Sequence, residues 1–536
     1  MATTLAVPVA SGRGRGVRDR LVTPMPTDRL AGWLVALAVT AFGAAIRFVS
    51  LGSPGGPKGL VFDEVYYVHD SFNLLHHGVE LNSLNTGPGF IVHPPMGKWV
   101  IAIGEALFSH GTFVTAGTSP AVYPGDSFGW RFSAAVVGSL AILILARTAR
   151  RMFRSTVLGA VAGLLLALDG LEFVQSRVSM LDIFLTFWVV ASFGCLVADR
   201  DDGRSRLAAR LSDGEVGRGP WLGIRWWRLG AGMCLGLACA TKWNGVFFVP
   251  AFLGLGYMWD VAARRVAGLR HPWRGALLLD GLPALAVFVV LPILVYVVSW
   301  TGWFLGNANT AYDHDLDVRA GQSTIAHAWA VFRGWWHYQD EIWRFHNHLS
   351  DGHPYRSYPL GWLLLARPVA YFYATPKNCG TSLCSQEILG IGTPAIWWLS
   401  IPAMIAAIWR WISRHDWRAA AIVVCFLFAW LPWFVPAYAD QRTMFLFYAL
   451  PMLPFMVLGL TLCAGLVLGS REASVRRRRW GAYAVGLYLL AVLANFGYLY
   501  PVLAGRSIPY SSWHQRMWFS QCANKDPKHE TAPCWI

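Results

Sequence analysis

Long apolar runs recur along the chain and leave few choices of fold, because roughly 17 to 25 apolar residues in a helix cross a hydrocarbon core of about 30 Å. Eleven such runs fall at about 30–50, 130–147, 155–170, 181–198, 229–243, 245–262, 276–300, 391–412, 419–436, 443–469 and 481–500, the fifth being the shortest. Of the 536 residues, 55% are hydrophobic and 14% charged, against about 25% charged in a soluble domain. The predicted class is an all-α polytopic membrane protein with about eleven transmembrane helices.

The net charge of +15 does not point to nucleic acid, because the arginines sit in short tracts between alternate apolar runs and not on one basic domain. Arg147 to Arg154, Arg200 to Arg228, Arg264 to Arg274, Arg410 to Arg418 and Arg471 to Arg479 form these tracts. With the basic N-terminus, residues 1–29, they hold 28 of the 45 Lys and Arg residues, so the positive-inside rule places them in the cytoplasm. A transmembrane body over residues 30–500 then carries two long outside segments, 51–129 and 301–390, and an outside tail, 501–536. The first apolar run is long and no small-x-small site follows it, which argues against a cleaved signal. No internal repeat is visible, which weighs against an inverted-repeat transporter. Cys195, Cys234, Cys239, Cys425 and Cys463 fall within spans and read as small buried apolar residues. Cys379, Cys384, Cys522 and Cys534 fall outside, where disulfides form; Cys379 with Cys384 and Cys522 with Cys534 are the simplest pairs.

In the first outside segment, "LVFDEVYYVHD" places Asp63 beside Glu64, and Val65, Val68, Phe72 and Leu75 then recur at helical spacing. This predicts an amphipathic helix on the membrane surface ending near Gly78. Asp63 suits an N-cap and Glu64 a first turn, yet one cap does not require two acids beside a membrane. "IVHPPMGKWVIAIGEALF" predicts a second interfacial helix with His93 and Lys98 near its start. Lys98 either holds a lipid phosphate or snorkels to the headgroups. Arg131 opens the second span, and "LDGLEFVQSRVSMLD" joins the third to the fourth with Asp169, Glu172, Arg177 and Asp182. Ionisable groups at such depths are paired or functional. Lys242 in "ATKWNG" and Asp440 and Arg442 in "AYADQRTM" stand at outward helix ends, so several cations converge where an anionic substrate head would sit. His346 and His348 lack the cysteine or acid spacing of a zinc site, and Asp313, Asp315 and Asp317 lack the glycine and distal glutamate of a calcium loop.

Five segments in order, "FDEVYYVHD", "VHPPMGKW", "SRVSMLD", "TKWNG" and "FHNHLSDGHPYRSYPLGW", resemble the protein O-mannosyltransferases, in particular the short actinobacterial type within the GT-C membrane glycosyltransferases. The resemblance covers most of the chain. One departure is that residues 301–390 are too short to hold, beside these motifs, the β-trefoil module of the eukaryotic relatives. The resemblance implies a GT-C fold at the cell membrane and transfer of mannose from polyprenyl-phosphate-mannose to Ser or Thr of proteins crossing the membrane at a secretion translocon. It further implies inversion at the anomeric carbon, no cofactor and no essential metal. By the same resemblance Asp63 is the catalytic acid and the basic residues matching Arg47, Arg131 and Lys242 lie near the site, which leaves open the one that holds phosphate. Glu64 would position Asp63 or the acceptor, and His93, Lys98, Arg177, Asp182 and Arg442 complete the expected substrate-binding set. Two rivals remain: a GT-C enzyme that modifies a glycolipid or lipid A, and a transporter of a lipid-linked substrate, which would not explain the acid pair.

Overall fold

The computed structural model describes residues 16–52, 59–82, 86–109, 113–115, 122–124, 127–211, 217–307, 309–314, 322–470, 472–519 and 535. Among these residues, nine helices are long and apolar enough to cross a membrane. They are α1 (Arg29–Phe48), α4 (Ser127–Phe153), α7 (Leu181–Arg210), α9 (Trp243–Val266), α10 (Pro272–Ser299), α12 (Pro394–Arg414), α13 (Trp417–Tyr438), α14 (Leu446–Leu468) and α15 (Val475–Leu503). The other two expected spans, 155–170 and 229–243, are α5 (Thr156–Ala167) and α8 (Trp226–Cys239), with 12 and 14 residues. At 1.5 Å per residue they reach about 18 and 21 Å, short of a hydrocarbon core. Each stops at a polar residue. Asp169 ends the run of α5 by capping α6 (Gly170–Gln175) through the N–H groups of Leu171 and Glu172. After α8 the chain turns into extended backbone at Lys242.

Burial sorts the helices. α14 is apolar all round and packed inside, as is the apolar first half of α7, whereas α10 leaves Leu277, Leu282, Ile293 and Val298 exposed and α15 leaves Leu487 and Leu490 exposed. Such outward faces are those expected of helices solvated by lipid tails.

The two expected interfacial helices are α2 (Glu64–His77) and α3 (Met96–Phe108). Gly78 ends α2 at φ 76°, the left-handed conformation that a Cβ disfavours. The segment 301–390 carries α11 (Thr324–His348), capped by the Ser323 hydroxyl, and strands that an all-α expectation leaves out. Two small antiparallel sheets form: β1 (Phe113–Thr115) with β2 (Val122–Pro124), and β3 (Val369–Ala374), β4 (Cys384–Gly390) and β5 (Ser507–Pro509) in the order β3-β4-β5. Cys379 and Cys384 are disulfide-bonded across the β3–β4 turn, with Cα atoms 5.8 Å apart. Cys522 and Cys534 lie outside the described residues.

The β4–β5 pairing joins the C-terminal tail to the 301–390 segment, so both lie at one end of the helix bundle. The 51–129 segment meets them there: Tyr338 of α11 hydrogen-bonds the Ile91 backbone, and Phe62 packs edge-on to Tyr371 of β3. A buried charge network ties together segments from the arginine-rich tracts. Arg225 and Arg228 each bridge Asp199 and Asp260, at 2.7 to 3.0 Å.

Candidate active site

The site begins with a strained turn. Phe62 has φ 50°, and its ring is gripped edge-on by Tyr371, Phe445, Phe447 and His353, with centroids 5.2 to 6.3 Å away. Non-glycine residues adopt this region only when their surroundings hold them there. The turn delivers Asp63 and Glu64 to the start of α2, and the two acids then part ways.

Glu64 is fully buried and its oxygens accept four hydrogen bonds. Arg131 donates Nε to Oε1 and Nη2 to Oε2, both at 2.8 Å, while the N–H of Ser179 donates to Oε1 and that of Val61 to Oε2, both at 3.0 Å. This is a bidentate ion pair closed off by backbone, a geometry that fixes three chain segments together. Asp63, by contrast, is partly exposed, and although it occupies the N-cap position its side chain makes no cap bond. No cation pairs with it among the described residues. The surrounding packing pushes its carboxyl up to about 6; the Asp182 charge adds to this, while Lys242 and a hydrogen bond with Tyr67 pull the other way. The capping explanation of the acid pair therefore fails for Asp63.

Beside Asp63 lies the pair Lys242–Asp182, with Nζ 3.0 and 2.9 Å from the two carboxylate oxygens. The Lys242 ammonium also faces the rings of Tyr448 at 5.0 Å and Phe447 at 5.7 Å. His93 stacks on His346, with centroids 5.2 Å apart, and approaches Tyr67. Burial pushes both imidazoles down, His346 to about 3, and nearby Lys242 and Arg442 reinforce the effect, so both are neutral at pH 7. Gln441 turns the chain at φ 48°, and Arg442 then donates from Nη2 to His346 Nδ1 and from Nη1 to the His346 carbonyl, both at 2.9 Å.

Of the six cations expected from sequence at the site, five are already occupied. Arg47 is buried against Glu172, Arg131 against Glu64 and Lys242 against Asp182. Lys98 lies 2.8 Å from Asp70 and 3.3 Å from Glu80. Arg177 donates to the carbonyls of Ile46, Arg47, Val49 and Ser50. Arg442 is partly exposed, no carboxylate pairs with it among the described residues, and its buried Nε has no hydrogen-bond partner there. Sequence reasoning missed Tyr67, Tyr448 and the rings around Phe62, because aromatic residues are so frequent in this chain that none stood out. Asp315 and Asp317 lie outside the described residues.

The helical bundle thus gathers at one end a carboxylate pushed up to about 6, two neutral imidazoles and a partly exposed arginine with no carboxylate partner among the described residues. The same fold is found in the donor-bound Saccharomyces cerevisiae protein O-mannosyltransferase Pmt1–Pmt2 complex, with a TM-score of 0.71, 14% identity and 94% of each chain covered. The family model described as dolichyl-phosphate-mannose-protein mannosyltransferase matches residues 37–299, and that of the C-terminal four-span region of protein O-mannosyltransferase matches residues 331–522. The polyprenol-phosphate-mannose–protein mannosyltransferase of Mycolicibacterium smegmatis is 40% identical over 504 residues, covering 92% of this chain and 93% of the relative. The Corynebacterium glutamicum protein of the same name is 32% identical over 536 residues, covering 96% and 99%. The chain belongs to the protein O-mannosyltransferase family.

Proposed function

We propose that this protein transfers mannose from polyprenyl-phosphate-mannose to Ser or Thr hydroxyls of proteins emerging at the outer face of the cell membrane, with inversion and with Asp63 as general base. The observation that carries this reading is the split of the acid pair: one carboxylate locked, its neighbour partly open and without an ion-pair partner among the described residues, beside Lys242 and Asp182. The donor and acceptor classes are supported by the names of the relatives. The outward placement of the site rests on the basic tracts, which the positive-inside rule assigns to the cytoplasm together with the N-terminus.

The acceptor hydroxyl is the weak partner in this reaction. Its oxygen attacks the anomeric carbon, its proton passes to Asp63, and the bond from that carbon to the phosphate oxygen breaks with its electrons leaving on the lipid phosphate. That phosphate is a stable anion, so the site needs cations more than a strong acid. Arg442 is assigned to it, since of the six expected cations it is the partly exposed one, the other five being buried, and no carboxylate pairs with it among the described residues, with Lys242 adding its field from the Asp182 pair. Glu64 and Arg131 act as positioning residues, and His93 and His346 form a neutral wall that leaves the arginine charge available. A charge-assisted hydrogen bond is worth roughly 1.5 to 3 kcal/mol. Arg442→Gln is thus expected to weaken donor binding about 10-fold or more with a smaller change in kcat; an unchanged KM for the donor would move the phosphate elsewhere.

Because Asp63 accepts a proton only when ionised, transfer is expected to fall about tenfold per pH unit below about 6 and to level off above it. Labelled polyprenyl-phosphate-mannose added to isolated membranes separates this function from its rivals. Label in protein is the expected result, label in glycolipid indicates the other GT-C chemistry, and movement across the membrane without transfer indicates a transporter.

A further inference from the structure

A second group of polar side chains stands outside the proposed transfer site. His337 and Glu341 are four residues apart on α11, a spacing that puts both on one face of a helix. Against that face lies the turn ending in Asp313. The turn is held tightly: Trp303 Nε1 donates to the Tyr312 carbonyl at 2.9 Å, and the N–H of His314 to the Ala311 carbonyl at 3.2 Å. Gly334 lets it lie directly on α11, since a Cβ there would come within 2.5 Å of the Asp313 carbonyl oxygen. One nitrogen from His337 and one carboxylate oxygen each from Asp313 and Glu341 thus fall within 4.8 Å of one another. Tyr312, its ring 5.0 Å from that of Tyr338, stands beside Glu341 from outside the cluster.

We propose that Asp313, His337 and Glu341 form a zinc site that braces the 309–314 turn against α11. Zinc takes nitrogen and carboxylate ligands at about 2.0 to 2.2 Å in a tetrahedron, which sets ligand-to-ligand edges near 3.4 Å. The edge from His337 Nδ1 to Asp313 Oδ2 is already 3.3 Å. Glu341, on a flexible side chain, supplies the third ligand, and water fills the fourth position because His337 is open to solvent. A tyrosine hydroxyl beside Glu341 is the kind of outer group that orients a metal-bound carboxylate. The imidazole argues for zinc over calcium or magnesium, which prefer all-oxygen sites. The site is structural: no step of the proposed transfer passes through it. Its consequence is positional, because His346 lies nine residues beyond His337, about 14 Å along the same helix.

The test uses the full-length protein in detergent, stripped with a chelator and titrated with zinc against a chromophoric competitor. Wild type is expected to bind one zinc ion at least 10-fold more tightly than His337→Gln and Asp313→Asn, with His348→Gln behaving as wild type. Zinc is also expected to raise the melting temperature of wild type and not that of the two ligand variants, whose zinc-free melting temperatures should match wild type. Where a ligand variant melts lower without zinc, Glu341→Gln replaces it in the comparison. Equal zinc affinity in wild type and ligand variants, no zinc binding at all, or preferential binding of calcium would each overturn the proposal.

Discussion

Asp63→Asn is expected to lower mannose transfer by about 10² to 10⁴ while the protein still folds and still binds the lipid donor. The substitution keeps the shape of the side chain and removes its capacity to accept a proton. It costs little structurally for two independent reasons. Asn caps helices about as well as Asp, and the Asp63 side chain makes no cap bond to lose. Nor does an ion pair break, since none exists at this carboxylate among the described residues. Transfer to a Ser/Thr-rich peptide in reconstituted membranes, at matched protein level and with donor binding measured in parallel, gives the comparison. Normal turnover by Asp63→Asn would return the acid pair to a structural role.

Glu64→Gln is expected to do the reverse, damaging the fold more than the chemistry. Four donors converge on the two Glu64 oxygens, and an amide offers its own N–H groups to half of them. Arg131 is left as a buried charge without its counter-ion. Breaking a buried pair from one side costs roughly 3 to 5 kcal/mol, a large share of the stability of most domains. A clear drop in melting temperature and in the yield of folded protein is therefore predicted, while turnover per folded molecule falls less than in Asp63→Asn. Replacing Glu64 and Arg131 together by apolar residues should recover part of the loss, because no unpaired charge remains. Wild-type melting of Glu64→Gln would contradict the locked role assigned to this residue.

The contrast between the two acids shows where sequence reading stops. The helix that begins at Glu64 and ends at Gly78 was legible, since its apolar spacing and its terminal glycine are local signals. The fates of the acids were not, because Arg131 and Ser179 reach Glu64 from 67 and 115 residues away. The same holds for the cations. Arg47, Lys98, Arg131, Arg177, Lys242 and Arg442 look equivalent in sequence, and tertiary packing alone buries five of them and leaves Arg442 partly exposed. Apolar content marked all eleven helical segments, but it does not register that α5 and α8 end early at Asp169 and Lys242. The β4–β5 pairing joins stretches more than 100 residues apart, with only three residues in β5, too few to show an alternating pattern.

If Asp63 takes the acceptor proton, its titration governs the pH dependence of kcat/KM for the acceptor, to be measured for wild type and Asp63→Asn side by side in reconstituted membranes. The wild-type rate is expected to rise about tenfold per pH unit to an inflection near 6 and then stay level. Asp63→Asn is expected to give a low, flat profile. An inflection that survives unchanged in Asp63→Asn would show that another group carries the proton.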